Sequence, residues 1–354
     1  MNENGDSMDA AVVHDGAGHP GGGARVATEA ATALDADLYL GYSGVDIGWW
    51  DERTPHDVHV LTGMETSSRL RDLWLIRTML TLDLSGYDLV LTSGPVTKFY
   101  HPADGQRRAH YMHHPPLPLL WYDGSLLLYP FSVIDRVETG SIETLIANSE
   151  LTAKRARSLY GRDPAVVNPP VDVERFEGER DPEPGKVVMV GRLEERKRPR
   201  IAVEAFTSLD AELHLIGDGP LRDELERQAL GDKVFHGYVE PDNVVFHGYV
   251  DDDELREHLL TAEAGLFVAR REDFGVTPIE YLAAGLPVVG VDEPNTNNQI
   301  VDGELGCLVK PDVHGVTGGI RDVLDEEWDT QTLRDAASTY RPTVFRKGLD
   351  EALP

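Results

Sequence analysis

Short apolar runs alternate with helical patterns along this chain, and the alternation starts twice. Residues 10–13, 37–42, 58–61, 87–92, 108–112 and 144–147 read as strands, with helical patterns over 24–34 and 67–82. Residues 177–185 (EGERDPEPG) then hold charges, two prolines and two glycines and nothing apolar, the signature of a linker. Beyond it, strands at 187–190, 212–216, 264–269 and 287–291 alternate with helices at 200–207, 221–229 and 278–284. Strands alternating with helices predict a parallel sheet covered on both faces. Two such runs in 354 residues predict two α/β domains. The expected division is a first domain at 1–176, a linker at 177–185, a second domain at 186–335, and a tail at 336–354 able to cross back to the first domain.

Charge narrows the class of partner. The net charge is -29, from 62 acidic against 33 basic residues, and only seven of the basic residues are lysines. Such a surface repels nucleic acid, which is not expected as a partner. The acidity is spread along the chain, which fits solubility at very high ionic strength, where screening shortens the repulsion. A halophilic, salt-loaded cytoplasm is the expected setting; an acidic mesophilic protein is the alternative. A single cysteine, Cys307, leaves no internal disulfide and fits a reducing compartment. The first ten residues lack the basic start and apolar centre of a signal peptide. No run reaches the roughly 20 apolar residues of a spanning helix. The nearest, 117–134, is broken by two prolines, an aspartate and a glycine. It reads as a membrane-surface or lipid-groove segment, or as a buried loop and helix.

The residues that carry chemistry sit where strands end. In Arg270-Arg-Glu-Asp-Phe-Gly-Val-Thr-Pro-Ile-Glu280, Glu272 follows an apolar strand and Glu280 falls in the first turn of the next helix. Phe274 and Gly275 form a turn whose glycine allows a ligand to approach the backbone. Two carboxylates at the carboxyl edge of a parallel sheet can accept hydrogen bonds from hydroxyls of a sugar and a ribose. Thr277 with Glu280 also reads as a capping box, an ordinary structural use of the same pair. Gly191 to Pro199 (GRLEERKRP) brings Arg192 and Lys197 to a loop before a helix, where cations favour a diphosphate; a solvated charged loop is the bland reading. Gly217, Asp218 and Gly219 follow another strand and could be a simple turn. Gly22 and Gly23 lie in a glycine run before the first helix, where a helix N-terminus can face a phosphate. His113 leaves a strand in HYMHHPP; no acidic or cysteine partner lies at ligand spacing there, so no metal is expected. A VFHGYV segment occurs at 234–239 and again at 245–250. The second copy reads as a framework strand running into a helix start, and the first as a local duplication.

In this order the motifs resemble those of the family 4 retaining glycosyltransferases, which have the two-domain GT-B fold. The resemblance is strongest from 187 to 309, including Leu282-Ala-Ala-Gly-Leu-Pro-Val-Val289 and Ile300-Val-Asp-Gly-Glu-Leu-Gly306. Gly22-Gly23, Asn148-Ser149 and Asn168-Pro169 echo the pattern in the first domain. Glu-Asp-Phe-Gly at 272–275 and His113-His114-Pro115 are similar to the mannosyltransferase-like branch.

The resemblance implies two Rossmann-like domains facing across a cleft. It implies that Arg192 and Lys197 meet the donor diphosphate, and that Glu272 holds sugar hydroxyls with the amides of Phe274 and Gly275. Glu280 would bind the ribose, and His113 would lie near the transferred sugar. The expected donor is a GDP- or UDP-hexose, used as substrate with no cofactor and no metal. The expected acceptor is a glycan or a polyprenyl- or dolichyl-linked glycan. A cytoplasmic enzyme, in peripheral contact with the membrane and serving surface-glycoprotein assembly, fits that set. A nucleotide-sugar epimerase of the same fold and a catalytically silent nucleotide-sugar-binding subunit are the alternatives. A dinucleotide-dependent dehydrogenase is disfavoured, because no G-x-G-x-x-G follows the first strand of either domain.

Overall fold

The computed structural model describes residues 8–18, 21–63, 69–114, 129–230 and 243–353. It divides into two compact units, Met1–Pro170 with Pro342–Pro354, and Val171–Arg341. Each is built on one parallel sheet.

In the first unit the strands are β1 (Ala10–His14), β2 (Asp37–Leu40), β3 (Val58–Val60), β4 (Leu89–Ser93), β5 (Arg107–Met112), β6 (Thr144–Ala147) and β7 (Ala165–Val166). Their spatial order is β3-β2-β1-β4-β5-β6-β7, with every pairing parallel. Consecutive residues of β1 face opposite sides: Ala10 and Val12 join one core cluster, Ala11 and Val13 the other. A strand buried on both faces must be apolar throughout, which is why this one reads as a continuous run. Helix α1 (Gly22–Leu34) lays Ala24, Ala27 and Ala31 on the sheet; the small side chains let it approach closely.

The second unit repeats the plan with β8 (Lys186–Val190), β9 (Glu212–Ile216), β10 (Val244–Gly248), β11 (Ala264–Phe267), β12 (Val288–Val291) and β13 (Gly306–Val309), in the order β10-β9-β8-β11-β12-β13. Val187 and Met189 face one core, Val188 the other. Tyr281 is fully buried, and its hydroxyl accepts the Val190 N–H at 2.8 Å, fixing the end of β8. Gly265 makes room for that ring: a Cβ there would lie 2.2 Å from it.

The expected linker is not a linker. Val171, Val173 and Phe176 are buried in the core of the second unit, and the charged strap after them is bonded to it. Asp181 N–H donates to Leu260 O and Glu183 N–H to Thr261 O, while the Arg180 guanidinium reaches the carbonyls of Gly285 and Ala262. Backbone hydrogen bonds hold a segment with no apolar side chain to bury, so the unit boundary falls at 170/171 and not at 176. The C-terminal segment divides: Leu333 and Ala337 pack in the second unit, whereas Phe345 and Leu349 of the last helix, Pro342–Ala352, pack in the first. The first VFHGYV copy, and residues 117–128 of the apolar run, lie outside the described residues; the second copy contains β10 residues. No helix among the described residues is long and apolar enough to cross a membrane.

Candidate functional site

In an open parallel sheet, ligands bind beyond the carboxyl ends of the two strands where the order reverses. Those strands are β8 and β11 in the second unit, and β1 and β4 in the first. The candidate residues gather at these two places.

In the second unit the loop after β8 is set by its backbone. Gly191 N–H donates to Ile216 O, and Leu193 N–H to Asp218 O, both at 3.0 Å. The loop after β9 lies directly against it. A Cβ at Gly217 would fall 2.1 Å from Gly191 O, and one at Gly219 would fall 2.4 Å from Leu193 O. The Gly217 N–H donates to Gly248 O at 2.7 Å, and the Gly219 N–H to its neighbour Asp218 Oδ1 at 2.8 Å. These amides are therefore engaged within the protein, and what the two glycines supply is close loop-to-loop packing. Gly219→Ala is expected to cost about 1–3 kcal/mol through overpacking. Chemical denaturation measures it, and an unchanged midpoint contradicts the packing role.

Residues 195–197 form a 3-10 turn, and Arg198 takes a left-handed φ of 53° before the helix Pro199–Phe206. The Arg198 guanidinium is tied to Val268 O and to Glu293. This anchoring carries Lys197 toward β11. The Lys197 Nζ lies 2.7 Å from Glu272 Oε1, with Arg196 at 3.7 Å from the same oxygen. Side-chain exposures are 17% for Lys197 and 12% for Glu272, so the pair sits where water screens it poorly. Arg192 is largely exposed and lies 3.8 Å from Glu194.

The loop after β11 is pinned on both sides of its turn. Arg270 N–H donates to Arg196 O at 2.9 Å, joining it to the Lys197 loop. The Phe274 ring is buried edge-on against Tyr340. Phe274 O accepts from Asn295, and Gly275 O from Gln299 at 3.0 Å. The N–H groups of Phe274 and Gly275 donate to no acceptor among the described residues. Gly275 has φ 78°, which favours glycine. Glu280 is buried in the helix Thr277–Ala284. The capping-box reading does not hold in its expected form. The cap residue is Val276, without a side-chain cap bond, and Thr277 is already helical. Pro278 falls in the first turn, where its missing N–H is no loss, and the helix starts one residue earlier than expected.

In the first unit, Gly22 and Gly23 open α1 behind Gly21, which caps it with no side-chain bond. A Cβ on Gly23 would lie 3.5 Å from the His14 ring and 3.9 Å from that of His113. His14 ends β1 and Ser93 ends β4, paired in register. His14 Nδ1 is 3.2 Å from Ser93 Oγ, which is 2.8 Å from His113 Nε2. Asn148 Nδ2 donates to His113 O at 2.7 Å, and Asp15 accepts the N–H groups of Val96 and Thr97. Burial holds His14 down to about 4, and burial with the neighbouring histidines holds His113 well below the ordinary imidazole range. Both rings are neutral at pH 7, able to hydrogen-bond a hydroxyl without adding charge. The structure thus joins Gly23 to His113, and Lys197 to Glu272. The sequence reading missed His14, Ser93 and Asp15; their signal was position, since each ends or follows a strand at the reversal point.

The comparisons with known proteins fit this geometry. The chain is 28% identical over 193 residues to the D-inositol 3-phosphate glycosyltransferase 2 of Catenulispora acidiphila, 47% of this chain and 44% of that one. It is 31% identical over 193 residues to the D-inositol 3-phosphate glycosyltransferase of Mycobacterium sp. strain KMS, 47% of this chain and 41% of that one. The chain thus spans less than half the length of these curated relatives. A solved structure, Anabaena Alr3699/HepE in complex with UDP and glucose, superposes with a TM-score of 0.75 at 17% identity, over 97% of this chain and 98% of that one. At that identity the likeness speaks for the fold, which is GT-B: two α/β, Rossmann-like parallel-sheet domains. Residues 171–340, nearly the whole second unit and every candidate residue in it, match the family described as glycosyl transferases group 1.

Proposed function

We propose that this chain is a glycosyltransferase of the mannosyltransferase-like branch of family 4. It moves a hexose from a GDP- or UDP-hexose to a glycan or polyprenyl-linked glycan, with retention and without a catalytic metal. The observation that carries the reading is the Lys197–Glu272 pair, held at the reversal point of the second sheet beside the N–H groups of Phe274 and Gly275. The family match over 171–340 and the UDP and glucose held by the Anabaena protein support a nucleotide-sugar donor.

In this reading Lys197 and Arg192 meet the diphosphate and balance the charge that grows on the leaving nucleotide. Fixed cations and amides act strongly in a site shielded from water. A lysine ammonium has three donors, and Lys197 uses one on Glu272, leaving others for phosphate oxygens. Glu272 accepts hydroxyls of the transferred hexose and Glu280 those of the ribose. Gly217, Asp218 and Gly219 shape the wall of the donor site. In the first unit His113 is the candidate for a sugar hydroxyl, and Gly22 and Gly23, at a helix N-terminus, for a phosphate. The acidic composition supports a salt-loaded cytoplasm, and exposed Leu73, Trp74, Val133 and Val137 support peripheral contact with the membrane's cytoplasmic face, where lipid-linked glycans are assembled.

A panel of GDP- and UDP-sugars at high salt tests the proposal. One nucleotide sugar is expected to bind and to release its hexose slowly when no acceptor is supplied. A panel in which none binds overturns it.

A further inference from the structure

Three histidines far apart in sequence meet at one edge of the second unit. His214 lies in the middle of β9, His247 in β10, the edge strand, and His258 in the helix Asp252–Thr261. One ring nitrogen from each lies within 4.8 Å of the other two. The His214 and His247 rings are stacked at 5.0 Å, with Nδ1 of one 2.9 Å from Nε2 of the other. The His247 and His258 ring centroids are 4.1 Å apart. The register of β10 on β9 slips between Phe246 and Gly248, leaving His247 as the extra residue. A bulge of this kind re-aims a side chain, and such bulges concentrate beside functional sites.

Gathering three imidazoles has no evident packing gain. His214 Nε2 is buried with no hydrogen-bond partner among the described residues. Imidazole ligates a metal through the lone pair of its neutral form. Carboxylates stand close by: Glu212 Oε1 is 3.5 Å from His214 Nε2, and Glu254 Oε1 is 3.8 Å from His258 Nε2. The Lys186 ammonium nearby opposes a cation, but it is spent on Glu183 at 2.6 Å and Thr261 at 2.7 Å.

We propose that His214, His247 and His258 form a binding site for a divalent transition metal of the zinc class. Three imidazoles are a zinc ligand set, with a fourth position left for water; Glu212, beside the Nε2 of His214, would hold the ring whose Nδ1 faces His247. Zinc–nitrogen bonds of about 2.0–2.1 Å in a tetrahedron set the nitrogens about 3.3 Å apart. The site reaches that spacing by a small parting of His214 from His247 and a turn of the His258 ring. The metal would be structural: it ties the edge strand to β9 at His247, the residue before Gly248, whose carbonyl accepts the Gly217 N–H of the loop after β9. The site is separate from Lys197 and Glu272 and does not depend on the proposed transfer reaction.

The test is a titration of Zn2+ into chelator-stripped full chain, with excess Mg2+ present to occupy surface carboxylates. One Zn2+ per chain is expected to bind and to raise the unfolding temperature, because a ligand of the folded state stabilises it. His247→Ala and His258→Ala, both at partly exposed positions, are each expected to weaken this binding more than about tenfold. Circular dichroism of the metal-free variants checks that they fold. Unchanged Zn2+ affinity in both folded variants, or no rise in unfolding temperature in the wild-type chain, overturns the site. A hydrogen-bonded trio of neutral imidazoles would give that second result.

Discussion

Lys197→Ala is expected to lower turnover at saturating donor by at least tenfold, about 1.4 kcal/mol. A loss of about 10²–10³ is the range for one preorganised donor removed from a developing anion. The side chain is held by its loop and by Glu272, not by the chain core, so the loss should fall on turnover more than on folding. Arg196 remains 3.7 Å from Glu272 and keeps that carboxylate partly balanced in the variant. Lys197→Arg is expected to restore part of the rate, since charge returns with altered geometry. Steady-state kinetics with the preferred nucleotide sugar check both variants. Unchanged turnover in the alanine variant removes Lys197 from the leaving-group role.

The largest stability effect is expected from Asp135→Ala in the first unit. Lys98 and Asp135 form an ion pair, both buried, and the Tyr160 hydroxyl donates to the second Asp135 oxygen at 2.8 Å. Removing one partner of a buried pair leaves an uncompensated charge and costs about 3–5 kcal/mol. Lys98 lies in the turn that follows β4, and the Thr97 N–H beside it is held by Asp15. The loss therefore strikes the scaffold beneath His113. Burial, opposed by the carboxylates of Asp15 and Glu138, brings Lys98 down to about 8. A lysine depressed in the folded state binds fewer protons than in the unfolded chain between that value and its ordinary one. Stability from this group therefore rises with pH across that window. The deficit of Asp135→Ala should shrink as pH is raised and Lys98 loses its proton. Denaturation midpoints at neutral and alkaline pH measure this; a variant as stable as the wild-type chain at pH 7 contradicts it.

The sequence disclosed the strands because strands buried on both faces must be apolar, as in 10–13 and 264–269. Glu272 and Lys197 stood out because strand ends and charge are both readable; that they pair with each other was not readable. It did not disclose that 177–185 is bonded to its unit, since that segment is held by backbone groups and Arg180, which leave no apolar trace. Nor did it show that Gly217 and Gly219 serve a contact with Gly191 and Leu193, because the contact is between backbones. The capping box failed at a finer level: Thr277 and Glu280 have the right spacing, but the helix starts one residue earlier, with Val276 as its cap. His214, His247 and His258 span 45 positions with no ligand spacing between them, and only the pairing of β9 with β10 brings them together. Their one mark in the sequence was the repeated VFHGYV segment, whose second copy carries His247.

The central claim is that the second unit holds a nucleotide-sugar donor against Lys197 and Glu272. Its most direct measurement is calorimetric titration of the panel's GDP- and UDP-sugars at high salt into the wild-type chain and Lys197→Ala. The account predicts that the wild-type chain binds one donor and that the variant binds it at least tenfold more weakly or turns it over at least tenfold more slowly. No binding of any nucleotide sugar by the wild-type chain, or equal binding and equal turnover in the two proteins, would contradict it.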